Sequence, residues 1–210
     1  MRDHAGHLGW WPGDTPFEVC VGAILTQNTA WTHVERAIVN LKDAGVLDPK
    51  PMYSLPESEL AELIRPAGYF NLKARRLRAF LKVIVEDCGG DLEALFAGST
   101  ESSRRRLLAI KGIGPETADS MLLYASRHHS FVVDAYTLRI FHRHQWCSEN
   151  ASYDDLQRAC VQGLSHKSAG ERQDFWRDYH AQLVMIGKDF CRPREPRCDT
   201  CPLRSLLPLH

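Results

Sequence analysis

Apolar residues recur at intervals of three and four along most of the chain, which is the spacing of one face of an α-helix. Short connections containing glycine, proline or polar residues separate ten such segments. They are FEVCVGAILTQ, THVERAIVNLKDAG, SELAELIRPAG, KARRLRAFLKVIVEDCGG, DLEALFAG, SSRRRLLAI, PETADSMLLYAS, AYTLRIFHRHQW, YDDLQRACVQGL and ERQDFWRDYHAQLVMIGKDFC. Only SFVVD is strand-like, and one short segment makes no sheet. The pattern therefore predicts an all-α fold of about ten helices.

The length of 210 residues suits one domain or two small lobes with a sizeable core. The chain contains no run of about 18 apolar residues that would span a membrane. Its beginning, MRDHAGHLGWWPGD, lacks the apolar core of a signal peptide. We therefore expect a cytoplasmic protein with no membrane partner.

Positive charge is concentrated in two clusters, although the formal net charge is zero. The first lies between Leu63 and Val85, where no acidic residue occurs, and the second precedes a pair of glycines. The basic residues are Arg65, Lys73, Arg75, Arg76, Arg78 and Lys82, then Arg104, Arg105, Arg106 and Lys111. One such run is typical of a solvated helix face, but two runs that converge on a glycine turn indicate a surface for a polyanion.

The segment KGIGPETAD joins two helical patterns by a turn with glycine at positions 112 and 114. Glycine permits unusual φ values and keeps side chains away from a ligand, and Pro115 suits the first turn of the next helix. The free amides of that turn predict a site for a phosphate oxygen, although a lone G-x-G is equally typical of a plain tight turn. Further on, Asp134 stands just before a helical segment, in the position of an N-cap.

The motifs AILTQNTAW, RPAGYFNLKARRL, IKGIGPETAD, VVDAYTLR and a cysteine-rich tail occur in this order. Together they resemble the helix-hairpin-helix, Gly/Pro-rich-loop, aspartate (HhH-GPD) superfamily of DNA base-excision glycosylases, whose best-known branch is endonuclease III. The resemblance runs from Trp10 to about Cys201. It implies a two-lobed helical fold, in which residues 18–126 form a six-helix barrel-like lobe ending in the hairpin. Residues 1–17 and 127–210 would form the second lobe, with a cysteine loop at 191–207.

The resemblance implies a monomeric enzyme that flips a damaged nucleotide out of double-stranded DNA, because the glycosidic bond cannot be reached inside the base stack. Gln27 would fill the gap left by the flipped base, and Tyr69 would act as a wedge beside the opposite strand. Without the resemblance, these two residues would be interpreted as a helix-end amide and a core aromatic. The phosphates flanking the lesion would be bound by the amides of Gly112, Ile113 and Gly114.

Asp134 would be the catalytic residue, because a carboxylate stabilises the positive charge that develops on the sugar or activates water. In bifunctional members of the family, a lysine two residues after the second hairpin glycine forms a Schiff base with the sugar. This position is occupied by Glu116, which cannot form an imine, and Lys111 lies before the hairpin. The resemblance thus implies a monofunctional enzyme that leaves an intact abasic site, and an accessory role for Glu116 stays open.

The aromatic residues near the N-terminus and after Gln27 resemble the 3-methyladenine glycosylase branch of the endonuclease III family. In that branch aromatic rings sandwich an alkylated purine, and a cationic base stacks well on electron-rich rings. The residues that would form this pocket are Trp10, Trp11, Pro12 and Trp31. The tryptophans could instead be ordinary core residues, and the substrate could be an oxidised or mismatched base. Two other functions also remain open: a catalytically inactive DNA-binding relative and a metal sensor.

Three of the seven cysteines, Cys191, Cys198 and Cys201, lie together near the C-terminus, whereas the others are scattered thiols. In a cytoplasmic chain such clustering indicates metal binding rather than disulfides. The family's iron–sulfur loop has the spacing C-x6-C-x2-C-x5-C, and the fourth position is Leu207. The resemblance implies a [4Fe–4S] cluster for which three of the four ligands are present. Either His210 or an exogenous ligand completes the cluster, or the cluster is labile or has been lost. A zinc site is the alternative.

Overall fold

The computed structural model describes residues 1–8, 11–148, 150–164 and 166–208. In these residues the regular secondary structure is helical and no strand occurs, so the all-α prediction is confirmed. No helix in this part of the chain has both the length and the apolar character needed to cross a membrane.

Twelve α-helices, numbered in chain order, occur in the described residues. They are α1 (Arg2–Ala5), α2 (Pro16–Leu25), α3 (Trp31–Asp43), α4 (Pro49–Ser54), α5 (Glu57–Leu63), α6 (Phe70–Lys82), α7 (Leu92–Leu95), α8 (Thr100–Leu108), α9 (Pro115–Ser120), α10 (Ala135–Arg143), α11 (Tyr153–Gly163) and α12 (Ala169–Asp189). Shorter 3₁₀ or π-helical turns are Arg65–Ala67, Val83–Asp87, Met121–Ala125, Cys198–Thr200 and Arg204–Leu206. The apolar pattern predicts all of these helices except α1, which has no buried residue, and α4, which buries only Pro49 and Met52.

Spatial proximity along the backbone divides the chain into two compact units. The hairpin unit comprises residues 11–128, and the carboxylate unit comprises residues 1–10 and 129–210. Each unit has its own set of buried apolar side chains.

The centre of the hairpin unit is α2, of whose ten residues nine are buried. Helices α3, α6 and α9 pack around it. The hydroxyl of Thr15 caps α2 by accepting from the amide of Glu18 at 3.1 Å, and Pro16 occupies the first turn. Each large apolar side chain that is fully buried contributes roughly 1.5–3 kcal/mol to folding. On α3 the buried face has the spacing expected of an amphipathic helix, with Val34, Ala37, Ile38 and Leu41.

In the carboxylate unit α10 packs along α12. The two helices approach closely where the Tyr136 ring lies over Gly187, since a Cβ at Gly187 would overlap that ring. The N-terminal segment is held on α12 by Asp178, whose carboxylate accepts from the amide of Leu8 at 2.8 Å and pairs with Arg2 at 3.3 Å. This packing places the N-terminus of α10, which begins after Asp134, against the middle of α12.

Candidate functional site

Helices α8 and α9 of the hairpin unit are joined by a turn that contains Gly112 and Gly114. Gly112 has a φ of +94°, and a Cβ there would lie 2.5 Å from Cγ of Arg76, so the backbone and the packing both favour glycine. Gly114 has a φ of −94°, and a Cβ there would meet nothing within 4 Å. The turn therefore uses the conformational freedom of glycine at Gly112, whereas at Gly114 the open side leaves room for a ligand to approach the backbone.

The first turn of α9 presents backbone amides that no side chain caps. Pro115 occupies the first helical position, and the carbonyl of Gly114 accepts from the amide of Ala118 at 2.9 Å. The side chain of Ile113, between the two glycines, is buried and anchors the turn in the core. The amides at the start of an α-helix have no partner within the helix, so they can donate to an anionic oxygen. Of the three predicted phosphate-binding residues, Ile113 already donates its amide to the carbonyl of Ile110 at 3.1 Å, so the amides of Gly112 and Gly114 are the ones left for a ligand.

A buried ion pair fixes α8 against α9. Nε of Arg104 lies 3.0 Å from Oδ1 of Asp119, and Nη2 lies 3.2 Å from Oδ2. Asp119 has no exposed surface, so the two-point contact with the guanidinium compensates the burial of its charge. The ion pair therefore joins the two helices of the hairpin on either side of the glycine turn.

Internal contacts of the basic residues reduce the predicted polyanion surface. Six of the ten residues in the two clusters form ion pairs or donate to backbone carbonyls, namely Arg65, Lys73, Arg78, Lys82, Arg104 and Arg106. Arg104 pairs with Asp119. Within the described residues, the exposed members with neither an ion pair nor a hydrogen bond are Arg75, Arg105 and Lys111.

Gln27 follows α2, and its side chain is bound to the hairpin. Nε2 donates to the carbonyl of Gly112 at 3.0 Å and to the hydroxyl of Thr117 at 2.9 Å, and Oε1 accepts from Arg76. The same Arg76 side chain packs against Gly112. The predicted gap-filling residue and the predicted phosphate-binding turn therefore belong to one hydrogen-bonded network in the hairpin unit.

Tyr69 is 71 % exposed and has a φ of +46°, so it is a surface residue and not the core aromatic that the sequence also allowed. Lys73, which is 1 % exposed, donates to the carbonyls of Leu25 and Ala67, both at 2.8 Å. Burial, and secondarily the nearby Arg76, lowers the pKa of Lys73 to about 8. Its two hydrogen bonds tie together the segments that lead into the predicted gap-filling and wedge residues.

Two of the predicted base-pocket residues meet in an aromatic cluster. The rings of Trp11 and Trp31 are 5.6 Å apart and nearly perpendicular, and the Trp11 ring lies 5.1 Å from that of Tyr124. Pro12 is exposed, and Trp10 lies outside the described residues. The sequence did not single out Tyr124, because it lies in the apolar run MLLYA, which is typical of a helix core.

Asp134 is the N-cap of α10 and is 9 % exposed. Oδ1 accepts from the amide of Thr137 at 2.7 Å, and Oδ2 lies 3.6 Å from Nε2 of His180, a residue of α12 that is 4 % exposed. Burial alone would raise the pKa of Asp134, but the contacts with His180 and Thr137 outweigh it and hold the pKa below its ordinary value. Asp134 is therefore an ionised carboxylate in a nearly closed environment at neutral pH.

Glu116, at the position of the family's lysine, lies in the first turn of α9 and is exposed. An acidic residue is favourable there, because the N-terminus of a helix carries partial positive charge. An exposed carboxylate, which cannot form a Schiff base, therefore stands where bifunctional members of the family have an amine.

The three clustered cysteines line one pocket of the carboxylate unit, and Leu207 at the fourth family position lines it as well. Nη1 of Arg143 donates to Sγ of Cys191 at 3.3 Å. The pKa of Cys201 is raised, chiefly by burial and also by the nearby Cys191 and Cys198. Three thiols within electrostatic reach of one another and of a guanidinium form a donor set suited to an anionic metal–sulfur group.

In the part of the chain that the structure describes, no three His, Cys, Asp or Glu side chains are grouped so that they could hold one metal ion. A four-iron cluster spreads its ligands over several metal atoms, so its thiolates lie farther apart than the ligands of a single zinc ion. His210, a predicted substitute ligand, lies outside the described residues.

Comparisons with known proteins agree with this arrangement. Residues 21–166 match the family described as HhH-GPD superfamily base excision DNA repair protein. The DNA repair glycosylase homologue MJ1434 of Methanocaldococcus jannaschii is 46 % identical over 206 residues, which cover 98 % of this chain and 91 % of the relative.

Two solved structures are also similar. The H. pylori 3-methyladenine DNA glycosylase (MagIII) bound to 1,N6-ethenoadenine is 30 % identical, with a TM-score of 0.73 over 85 % of this chain and 87 % of that one. A non-covalent endonuclease III–DNA complex shares the fold with a TM-score of 0.79 at 20 % identity, over 98 % of this chain and 89 % of that one. The chain therefore belongs to the HhH-GPD superfamily of base excision DNA repair proteins and is a DNA repair glycosylase.

Proposed function

We propose that this glycosylase is monofunctional and hydrolyses the N-glycosidic bond of a flipped alkylated purine, such as 3-methyladenine, as a monomer on double-stranded DNA. The observation that carries the proposal is that carboxylates, Asp134 and Glu116, occupy both the position of the catalytic aspartate and the position of the family's lysine. Asp134 is buried and ionised, and Glu116 replaces the amine that strand-cleaving relatives need.

Asp134 would act on the sugar. Breaking the N-glycosidic bond leaves positive charge on the sugar ring, and a carboxylate held in a poorly solvated place stabilises that charge more strongly than one in water. The Thr137 amide and His180 fix both carboxylate oxygens, so little reorganisation is needed as the charge develops. Water then completes the hydrolysis and leaves an abasic site.

The turn at Gly112 to Gly114 would bind the phosphates beside the lesion through backbone amides, which fixes the position of the DNA without reading its sequence. Gln27, bonded to the same turn, would enter the gap that the flipped base leaves. The exposed Tyr69 would wedge beside the opposite strand. Accommodating Gln27 in the gap would require it to release or re-aim its bonds to Gly112 and Thr117.

The aromatic cluster supports an alkylated purine as the substrate. Alkylation at a ring nitrogen gives the base positive charge, which favours stacking on tryptophan and tyrosine, and it also weakens the glycosidic bond. Trp11, Trp31 and Tyr124 supply three such rings. The name of the MagIII relative, a 3-methyladenine DNA glycosylase, points in the same direction.

The cysteine loop would hold a [4Fe–4S] cluster through Cys191, Cys198 and Cys201. When bound, the cluster would cross-link the loop through metal–thiolate bonds. Arg139 and Arg143 already tie this loop to α10 by donating to the carbonyls of Cys191 and Arg192 at 2.6 Å each. The cluster would thus stabilise the part of the carboxylate unit that supports α10.

An excision panel tests the proposal. Duplexes carrying 3-methyladenine, thymine glycol or uracil are incubated with the protein, and released base and strand breaks are measured separately. We expect release of 3-methyladenine, strand breaks only after alkali, and no covalent adduct with borohydride. Stacking contributes about 1–3 kcal/mol per base, so Trp31→Ala should slow 3-methyladenine release by roughly ten- to a hundredfold.

The panel also separates the alternatives. Release of thymine glycol or uracil with methylated DNA left intact would replace the alkylpurine assignment by one for oxidised or mismatched bases. Efficient borohydride trapping that disappears in Lys111→Ala would overturn the monofunctional assignment. Absence of any release, with lesion DNA still bound, would identify an inactive DNA-binding relative.

A further inference from the structure

The cysteine pocket lacks a fourth thiol, yet it contains a second type of metal-binding side chain. His144, directly after α10, is buried and lines the pocket together with Cys191, Cys198, Cys201 and Leu207. The family motif gives no reason to expect a ligand at this position, because His144 lies far from the cysteine loop in the sequence.

The orientation of the His144 ring is fixed by two contacts. Nδ1 lies 3.0 Å from the carbonyl oxygen of Leu206, and the ring packs 4.6 Å from that of Trp146 at an angle of 35°. A carbonyl oxygen can only accept, so Nδ1 carries the proton and Nε2 keeps its lone pair. Within the described residues, Nε2 has no hydrogen-bond partner.

This arrangement is the one that metal-binding histidines adopt. Such a residue almost always donates its other ring N–H to a carbonyl or carboxylate, which sets the tautomer and the direction of the metal-binding nitrogen. Histidine also replaces cysteine as an iron ligand in some iron–sulfur centres. The carbonyl that His144 contacts belongs to Leu206, which is adjacent to Leu207, the residue at the position of the absent cysteine.

We propose that Nε2 of His144 is the fourth ligand of a [4Fe–4S] cluster whose other ligands are Cys191, Cys198 and Cys201. The inference rests on the cluster proposed above and adds the ligand that completes it. Binding releases one proton from each of the three thiols, whereas His144 binds as the neutral imidazole and keeps the proton on Nδ1. The assembly therefore carries one negative charge fewer than a cluster with four thiolates.

The test uses the protein with all 210 residues, reconstituted without oxygen from ferrous iron and sulfide. Iron and sulfide per chain, the visible absorption of the cluster and its reduction potential are measured, and pulsed EPR of the reduced protein detects nitrogen bound to iron. The variants are His144→Ala, His144→Cys, Leu207→Cys and the double variant His144→Ala with Leu207→Cys. His142→Ala is the matched control, because His142 is an exposed histidine of α10 outside the pocket.

We expect nitrogen coupling in the wild type and in His142→Ala. His144→Ala should lose that coupling and bind iron at least about tenfold more weakly, as expected for losing part of a metal site. Leu207→Cys should restore iron binding to the His144→Ala protein, because it supplies the absent thiolate. His144→Cys should keep the cluster without nitrogen coupling and should lower its reduction potential, because negative charge is added.

The outcomes separate the two proposals. A wild type that binds no iron and sulfide refutes the cluster and this inference together. Equal cluster content and unchanged spectra in His144→Ala, a three-iron cluster in the wild type, or nitrogen coupling that disappears in His210→Ala instead, refutes His144 as the ligand while the cluster stands. If His144→Ala fails to fold, which its helical circular dichroism would show, nitrogen coupling in the wild type labelled with ¹⁵N-histidine decides the question.

Discussion

A single carboxylate, Asp134, meets two structural demands at once. As the N-cap of α10 it satisfies the amide of Thr137, and as an ion in a nearly buried place it offers concentrated negative charge. The N-terminus of a helix and a neighbouring imidazole make both demands compatible, since each favours the ionised form. The cap therefore does not compete with the chemistry proposed for the residue.

Asp134→Asn separates the cap from the charge, because the amide oxygen of asparagine can still accept from Thr137. Removal of a group that stabilises transition-state charge typically costs about 100- to 1,000-fold in rate. We expect single-turnover base release to fall by about that factor, with lesion-duplex affinity within about tenfold by fluorescence anisotropy. Asp48→Asn, which alters the exposed N-cap of α4, is the control. Wild-type excision by Asp134→Asn would exclude this residue as the catalytic one.

His180 is a positioning residue for Asp134, and its effect should appear in the pH profile. His180→Phe removes a contact that lowers the pKa of Asp134, and burial, which raises that pKa, then has the greater weight. A carboxylate with a raised pKa becomes protonated at higher pH, so the acidic limb of the excision rate should move to higher pH. His142→Phe should leave the profile unchanged. A uniform loss of rate at all pH values, with the limb in place, would indicate a purely structural role.

The sequence alone was enough to single out Asp134 as a candidate, but it gave no sign of its partner, His180. An aspartate before a helical segment has a recognisable local pattern, but His180 is separated from it by α10 and α11 and comes close only because α12 packs on α10. Tyr124 and His144 were missed for the same reason. Local periodicity predicts which residues face inward, and tertiary packing decides which of them meet.

At the scale of elements, helical periodicity predicted ten of the twelve described helices, since each of those ten contributes an apolar face to a core. The exceptions are α1, which buries no residue, and α4, which buries only two, so neither shows an apolar period. The hairpin was also recognisable, but the different roles of its glycines were not. Only the backbone angles show that Gly112 serves the turn and that Gly114 is conformationally ordinary.

This difference gives a matched pair of variants of the hairpin. Gly112→Ala forces a left-handed φ on a residue with a Cβ, and we expect a loss of about 1–2 kcal/mol in the free energy of unfolding. Gly114→Ala should lower that free energy less, because alanine adopts this φ readily and only the poorer N-cap of α9 counts against it. A Cβ at Gly114 would obstruct a ligand, so duplex binding should weaken by roughly tenfold or more, as for one lost charge-assisted hydrogen bond.

Urea denaturation and anisotropy with an undamaged duplex measure the two effects of the hairpin variants separately. The assignment of Gly114 to ligand approach fails if Gly114→Ala binds the duplex as the wild type does. The assignment of Gly112 to the turn fails if its alanine variant unfolds at the same urea concentration as the wild type.

At the scale of the whole molecule, the chain has a formal net charge of zero and must nevertheless bind a polyanion. The sequence showed two basic clusters but not that Lys73, Arg78 and Arg106 donate to backbone carbonyls and that Arg65, Lys82 and Arg104 pair with carboxylates. Arg75, Arg105 and Lys111 remain exposed for phosphate contacts in the hairpin unit. Arg105 is close in sequence to the hairpin turn, whereas Lys82, of the same cluster as Arg75, pairs with Glu86.

The salt dependence of DNA binding distinguishes these two kinds of basic residue. Each phosphate neutralised by a protein cation adds about 0.9 to the magnitude of the slope of log affinity against log salt. Arg105→Gln should therefore lower that slope by about 0.9, and Lys82→Gln, whose charge already has an acidic neighbour, should change it little. The affinity of an undamaged duplex is measured by anisotropy over a series of potassium chloride concentrations. Equal slopes for Arg105→Gln and the wild type would show that Arg105 makes no phosphate contact, and a reduced slope for Lys82→Gln would show that its ion pair opens on DNA.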